Sequence, residues 1–381
     1  MFTVCAVMTN EPAPRPFQLL IKPASADCNA RCAYCFYLRV GDEVYTERRH
    51  RMSDEVLERL VSSFLGLRLP LSVFSWQGGE PTLMGLPFFE RVVELQKKHG
   101  RGGQLVGNAL QTNGLVIDAK WARFLGQYRF LIGLSLDGPR EVHNHYRGKT
   151  FHKVMRAARL LREHHVAFSV LCCVSQANAG RGGEVYRWFV ENGFFALQFI
   201  PIVETDPATG ELADFAITGE EYGRFMCEVF DEWAAQGWGK ISVRLFDAML
   251  SRAVGAPIHY CPLGERCDSY LVVEHNGDVY PCDFYVRPEL KLGNIMEGEL
   301  PAFFDTKEAQ AFSAAKKDYG DECASCEYLD MCYGGCQKDR LDGRRSSLCA
   351  GYKMFFEHTQ AKFTELAKKF KVQEFTASSP E

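Results

Sequence analysis

The sequence predicts an α/β chain: an open, partial (β/α)6 barrel followed by a smaller, cysteine-rich C-terminal domain. Three observations predict it. Between Phe17 and Ala235, six apolar strand-like runs each precede an amphipathic helix-like stretch, the pattern of parallel strands with helical crossovers. After about Lys240 the alternation stops and short hairpin-like pieces take over. Eight of the fifteen cysteines fall in this last part, from Cys261 to Cys349.

Residues 1–16, with Pro12, Pro14 and Pro16, read as a flexible tail. The strand–helix pairs follow over 17–240. Phe17–Lys22 leads to Ser53–Gly66, where Ser53 is an N-cap and Asp54 and Glu55 suit the first turn. Val73–Gln77 leads to Pro87–His99, and Leu105–Gln111 to Asp118–Gln127. Leu131–Leu136 leads to Phe151–His165 across a loop over 142–149. Phe168–Val174 leads to Gly183–Asn192, and Ala196–Val203 to Gly219–Ala235. Six units are too few for a closed eight-stranded barrel, so an open one fits. In the C-terminal domain, 241–381, Leu271–Glu274 and Val279–Cys282 flank Asn276-Gly277, a hairpin-turn signal. A helix over Tyr352–Phe370 and a polar tail from Thr376 end the chain.

At 381 residues the chain exceeds a usual single domain, and its 46% hydrophobic and 24% charged residues are those of a soluble globular protein. A net charge of −4 with no basic block argues against a nucleic-acid partner. No apolar run is long enough to span a bilayer, which argues against a membrane partner. Phe2–Met8 is too short for a signal-peptide core. A cytoplasmic protein is expected, starting at Met1 or Met8. In a reducing compartment, clustered cysteines point to metal binding or catalysis rather than disulfides. Cys5, Cys172, Cys173 and Cys227 lie outside the clusters and read as small core side chains or incidental thiols.

The densest cluster follows the first strand: Cys28-Asn29-Ala30-Arg31-Cys32-Ala33-Tyr34-Cys35. A structural zinc takes four closed ligands, and no fourth Cys or His lies nearby. Three thiolates on a four-iron cluster would leave one iron without a protein ligand, open to chemistry. Here the chain resembles the radical S-adenosylmethionine (SAM) superfamily, whose motif is C-x3-C-x-aromatic-C, with Tyr34 as the aromatic. Gly78-Gly79-Glu80-Pro81 follows the second strand. Its two glycines read as a close backbone approach to a ligand, with Glu80 orienting an ammonium group; the bland reading is a tight turn. The resemblance implies that this segment holds the methionine amine of SAM. It also implies that Ser135 and Arg156 touch SAM and that Leu197 packs near its adenine.

The C-terminal thiols run Cys261-x5-Cys267, Cys282, Cys323-x2-Cys326-x5-Cys332-x3-Cys336 and Cys349, enough for two four-ligand sites, either iron–sulfur clusters or zincs. Their order resembles the SPASM-type domain of peptide-modifying radical SAM enzymes. That implies one cluster on Cys261, Cys267, Cys282 and Cys336, a second on Cys323, Cys326, Cys332 and Cys349, and three [4Fe-4S] clusters in all.

Leu20–Ser25, Cys35-Phe36-Tyr37, Trp76–Gly85, Gln111–Gly114 and Cys282-Asp283 narrow the resemblance to anaerobic sulfatase-maturating enzymes. The chain departs from them at 142–149, which has Asn144 where Asp is common and is shortened before Thr150. The family resemblance implies oxidation of a Cys or Ser of a sulfatase polypeptide to Cα-formylglycine, with electrons from a flavodoxin- or ferredoxin-like donor. It places the general base at Asp283, and Tyr37 and Gln77 are candidates for holding the peptide. The alternative is a SPASM-domain maturase that crosslinks another ribosomal peptide, which would use the same cluster ligands.

Overall fold

The computed structural model describes residues 17–377 apart from 46, 207, 259 and 342, so the tail expected over 1–16 lies outside it. Ten strands form one sheet: β1 (Gln18–Lys22), β2 (Leu71–Trp76), β3 (Leu105–Thr112), β4 (Leu131–Ser135), β5 (Phe168–Val174), β6 (Ala196–Pro201), β7 (Ser242–Val243), β8 (Tyr270–Glu274), β9 (Asp278–Tyr280) and β10 (Gly293–Asn294). Their order is β10-β9-β8-β1-β2-β3-β4-β5-β6-β7. Strands β1 to β7 are parallel to their neighbours, β8 pairs parallel with β1, and β9 and β10 are antiparallel.

The helices are α1 (Leu38–Glu43), α2 (Asp54–Gly66), α3 (Leu86–His99), α4 (Ala119–Gln127), α5 (Arg140–Arg147), α6 (Phe151–Glu163), α7 (Gly182–Glu191), α8 (Gly219–Glu232), α9 (Arg244–Val254), α10 (Lys307–Ala315), α11 (Gly320–Ala324), α12 (Leu329–Cys332) and α13 (Cys349–Ala377). The expected pairs appear within three residues of their predicted bounds, and Ser53 caps α2 by accepting from the Val56 N–H at 3.2 Å. Asp118 caps α4 in the same way, through Lys120 and Trp121. None of the helices among the described residues is long and apolar enough to cross a membrane.

Three departures matter. The alternation does not stop at Lys240, because β7 and α9 add a seventh strand–helix unit on the β6 edge. The stretch 142–149 is not a loop: α5 covers most of it, burying only Val142 and His143, too little apolar surface to mark a helix in the sequence. The β8–β9 hairpin joins the barrel's own sheet through β1 rather than forming a separate one.

Side chains alternate across each strand. Leu19, Ile21, Phe74 and Trp76 face outward into a core shared with α2 and α3, and Leu197, Phe199, Val170 and Cys172 face a second core shared with α7, α8 and α13. Polar Lys22, Gln111, Ser135 and Gln198 fall on the opposite, inner face.

Helix α13 closes the fold by packing along α8, backbone to backbone. A Cβ on Gly351 would lie 2.0 Å from the Gly219 carbonyl oxygen, and one on Gly223 would lie 2.7 Å from the Gly351 Cα. We expect Gly351→Ala to push α13 off α8 and cost about 1–3 kcal/mol, the usual range for overpacking. Cys349 begins α13, so iron content should fall along with the melting temperature.

Candidate functional site

The cysteine loop starts where β1 ends, at buried Lys22. A tight turn follows, with the Ser25 N–H donating to the Lys22 carbonyl at 3.1 Å and the Asp27 N–H to the Ala24 carbonyl at 2.9 Å. The segment after β2 is stitched directly onto this turn. The Gly79 N–H donates to the Ser25 carbonyl at 2.6 Å, and the Glu80 N–H to the Asp27 carbonyl at 2.7 Å. A Cβ on Gly79 would sit 2.2 Å from the Asp27 carbonyl oxygen. Gly78 has a φ of +123°, and its Cβ would meet the Ser25 carbonyl oxygen at 2.7 Å. The close approach that demands glycine is therefore to the backbone one residue before Cys28, where the sequence suggested a ligand.

Glu80 is also more committed than expected. Buried completely, it accepts from the Thr82 N–H (3.0 Å), Thr82 Oγ1 (2.5 Å), Thr112 Oγ1 (2.8 Å) and Asn113 N–H (2.7 Å). Burial pushes its carboxyl up despite these donors. Its side chain ties the β2 loop to the β3 loop, so it does not stand free to orient an ammonium group. Asp27 is braced from outside by His50, through its N–H at 3.0 Å and Nδ1 at 2.8 Å, and by Arg51. Cys28 Sγ accepts from the Ala30 N–H at 3.3 Å and lies 3.6 Å from Asn113 Nδ2.

On the far side of the loop stands a charged network that the sequence reading missed. The Tyr34 hydroxyl donates to Asp137, which also takes Arg147 Nε at 2.8 Å and the Cys173 N–H at 3.0 Å. Arg147 then reaches two thiols, Cys173 at 3.5 Å and Cys32 at 3.9 Å. Asp137 lies two residues past β4, in the Ser135-Leu136-Asp137-Gly138 stretch that marked a strand end. Ser135 accepts from Gln111 Nε2 at 3.0 Å on the inner face. Arg156 is exposed on α6, away from these groups, and the Leu197 side chain is 2% exposed in the outer core. Strand alternation turns Leu197 outward, and helix periodicity turns Arg156 to solvent.

Asp283 follows Cys282 in a short turn. Gln77 Nε2 donates to its Oδ2 at 3.4 Å, and the Lys22 ammonium lies 3.8 Å from the same oxygen. Lys22 sits over the Tyr37 ring at 4.0 Å, and the Tyr37 hydroxyl donates to Glu274. Tyr37 is 2% exposed, and its hydroxyl is engaged inside the protein by Glu274. Gln77, in contrast, is half-buried beside Asp283. Lys22 and Glu274 are register partners on β1 and β8.

The C-terminal thiols separate into the two expected sets. Cys323, Cys326, Cys332 and Cys349 line one cavity, with Tyr328, Tyr352 and Phe356 around them. Cys261, Cys267 and Cys336 face the buried Lys316, and Cys282 interacts with Cys261 and Cys336. Burial pushes Cys261 up to about 11 and Cys336 up to about 12, and Cys28 at the N-terminal loop up to about 11, so metal binding at each must displace protons. Among the described residues no three His, Cys, Asp or Glu side chains converge as they would on a single ion. Four soft donors spread around a cavity suit the larger span of an iron–sulfur cluster.

The Gly79 geometry changes what a substitution there does. Gly79→Val should break the Gly79–Ser25 and Glu80–Asp27 contacts and remove the iron of the Cys28, Cys32 and Cys35 site, about four atoms. Iron analysis and SAM binding by calorimetry should fall together; lost SAM binding with full iron would contradict the packing described.

A family model described as Radical SAM superfamily matches residues 23–176, and one described as an iron-sulfur cluster-binding domain matches 261–327. A cysteine-type anaerobic sulfatase-maturating enzyme of Clostridium perfringens is 38% identical over 93% of this chain and 100% of its own length. A serine-type enzyme of Bacteroides thetaiotaomicron is 34% identical over 95% of this chain and 93% of its own. The solved structure of native anSMEcpe with bound AdoMet and Cp18Cys peptide superposes with a TM-score of 0.86 at 36% identity, covering 93% of this chain and 100% of that one. Streptococcus suis SuiB, at 18% identity and a TM-score of 0.64, shares the fold alone. The chain belongs to the anaerobic sulfatase-maturating enzymes, a family of the radical SAM superfamily with an iron–sulfur cluster-binding C-terminal domain.

Proposed function

We propose that the protein oxidises a cysteine or serine side chain of a sulfatase polypeptide to Cα-formylglycine. One observation carries the reading: Asp283, anchored by Cys282, meets Gln77 at the mouth of the barrel on which the Cys28–Cys35 loop also opens. Relatives of both cysteine and serine type match the chain end to end, and the reading covers both. It places the protein in the cytoplasm, drawing electrons from a low-potential flavodoxin- or ferredoxin-like donor. The crosslinking alternative gains no support from SuiB, which shares the fold alone.

Cys28, Cys32 and Cys35 would hold the first cluster. The backbone edge of Gly78–Pro81, with Tyr34 and Ser135, would flank SAM, and the two C-terminal sets would hold the other clusters. Bound there, cluster and SAM would supply the one-electron chemistry for taking a hydrogen atom from the substrate's Cβ, and the remaining clusters would supply electron-accepting capacity. The chain's own residues manage the rest. Asp283 accepts the proton of the substrate thiol or hydroxyl, Gln77 fixes the carboxylate's orientation, and Lys22 balances its charge. A serine then yields the aldehyde directly, whereas a cysteine yields a thioaldehyde that water hydrolyses to the aldehyde with release of hydrogen sulfide. Tyr37 and Glu274 hold Lys22 in place from behind. The barrel wall and the α5 helix shelter the mouth from water.

The protein purified without oxygen should carry about twelve irons, four per cluster. Zinc at two per chain with little iron would sink the reading. Incubated with SAM, reductant and a sulfatase-motif peptide, it should yield a formylglycine product visible by mass spectrometry. Asp283→Asn should keep its iron and still cleave SAM, yet lose about 100-fold or more in product formation. Product at the parent rate would remove Asp283 from the base position.

A further inference from the structure

Lys316 ends the segment that α10 begins, and its side chain is wholly buried, where a lysine ordinarily reaches water. Its ammonium donates to the Pro262 carbonyl at 3.2 Å and to the Gly335 carbonyl. Those residues adjoin Cys261 and Cys336, so one cation straddles two of the loops that carry the first auxiliary site. Cys267 faces it as well. The other charges around it are Arg340, whose guanidinium also caps backbone carbonyls, and buried Asp339. Among the described residues no carboxylate lies in ion-pair contact with Lys316. A buried ammonium with only carbonyl partners is costly unless an anionic group stands opposite it. The thiols of the first set are placed to carry one.

The second set is arranged differently. Two of its cations, Arg345 (54% exposed and paired with Glu322) and Lys353, are exposed, and the third, Arg340, is buried near Cys323 but spends its guanidinium on the Gly334, Ala315, Asp318 and Lys316 carbonyls. Water screens exposed charges, and buried ones act at nearly full strength. Cluster potentials follow net charge, hydrogen bonding and exposure. The first set also adjoins the proposed base, since Cys282 precedes Asp283.

We propose that Lys316 is a positioning residue that raises the reduction potential of a cluster on Cys261, Cys267, Cys282 and Cys336, making that site the acceptor of the electron leaving the substrate. As the substrate's thiol or hydroxyl proton passes to Asp283, its carbon gives up one electron, and one oxidised cluster gains it. No further oxidant enters the step. The inference rests on the reading of these four cysteines as cluster ligands.

The test is a potentiometric titration of the full-length, anaerobically reconstituted protein, followed by electron paramagnetic resonance, with iron counted in parallel. In Lys316→Met, one of the two reduction waves that do not respond to SAM should move. At a fixed poise its reduced-to-oxidised ratio should drop about tenfold, equivalent to about 59 mV for a one-electron couple. Lys316→Arg should stay close to the parent. Lys317→Met, which alters an exposed lysine paired with Glu265, should move no wave. Parental waves in Lys316→Met at full iron overturn the proposal. If Lys316→Met loses iron, Lys316→Arg decides. Parental iron and parental waves support a role for the charge, and loss of iron there too shows a brace defined by shape and overturns it. A parent protein with only about four irons defeats the ligand assignment itself, before any variant is compared.

Discussion

Two backbone hydrogen bonds, from Gly79 to Ser25 and from Glu80 to Asp27, fix the geometry on which the site depends. They dock the loop of the second strand onto the turn that launches the first cysteine. The contact is possible only because neither Gly78 nor Gly79 carries a Cβ, and it leaves Glu80 facing inward. There, buried and fully ringed by donors, Glu80 draws in Thr112 and Asn113 from the third strand. Three successive strand ends are thereby locked into one rigid shelf. A cluster and a small cofactor need such a shelf, since loops alone hold reacting groups less precisely than loops tied to strands.

Much of this could be read from the chain itself. The alternation of apolar runs and helical faces placed six strands and their helices correctly, because each strand buries its outward face against the helix that follows it. The cysteine spacings grouped the thiols that the fold brings near one another, and the strand ends marked where polar side chains gather. What stayed hidden was whatever depends on pairing between distant segments. Nothing in Tyr270–Glu274 says that it adds to β1, so the barrel's extension by the C-terminal hairpin was invisible. Arg147 lay in a polar stretch whose helix buries only two side chains, so its reach to Cys32 could not be foreseen.

The electrostatics of the three thiol sets differ in a way that suits their separate tasks. Arg147 is buried beside Cys32 but is held by Asp137, so much of its charge is already matched. A site that must give up an electron gains little from an unmatched cation nearby. Lys316, facing Cys261, Cys267 and Cys336, has backbone carbonyls as its hydrogen-bond partners and remains the stronger source of positive potential. At the third set Arg345 and Lys353 are exposed and screened, and buried Arg340 is divided among several backbone carbonyls.

The sheet itself links this chemistry to the fold. Because β8 pairs with β1 in register, Lys22 and Glu274 stand side by side although 252 positions separate them in the chain. Tyr37, from the end of the cysteine loop, then bridges them, with its ring under the Lys22 ammonium and its hydroxyl on Glu274. The cation that faces Asp283 is thus set by three segments at once: the first strand, the cysteine loop and the C-terminal hairpin. The hairpin continues directly into Cys282 and Asp283, so pairing with β1 positions both the carboxylate and the ammonium opposite it. Two regions that look like separate domains in the sequence can form the site only by sharing a strand edge.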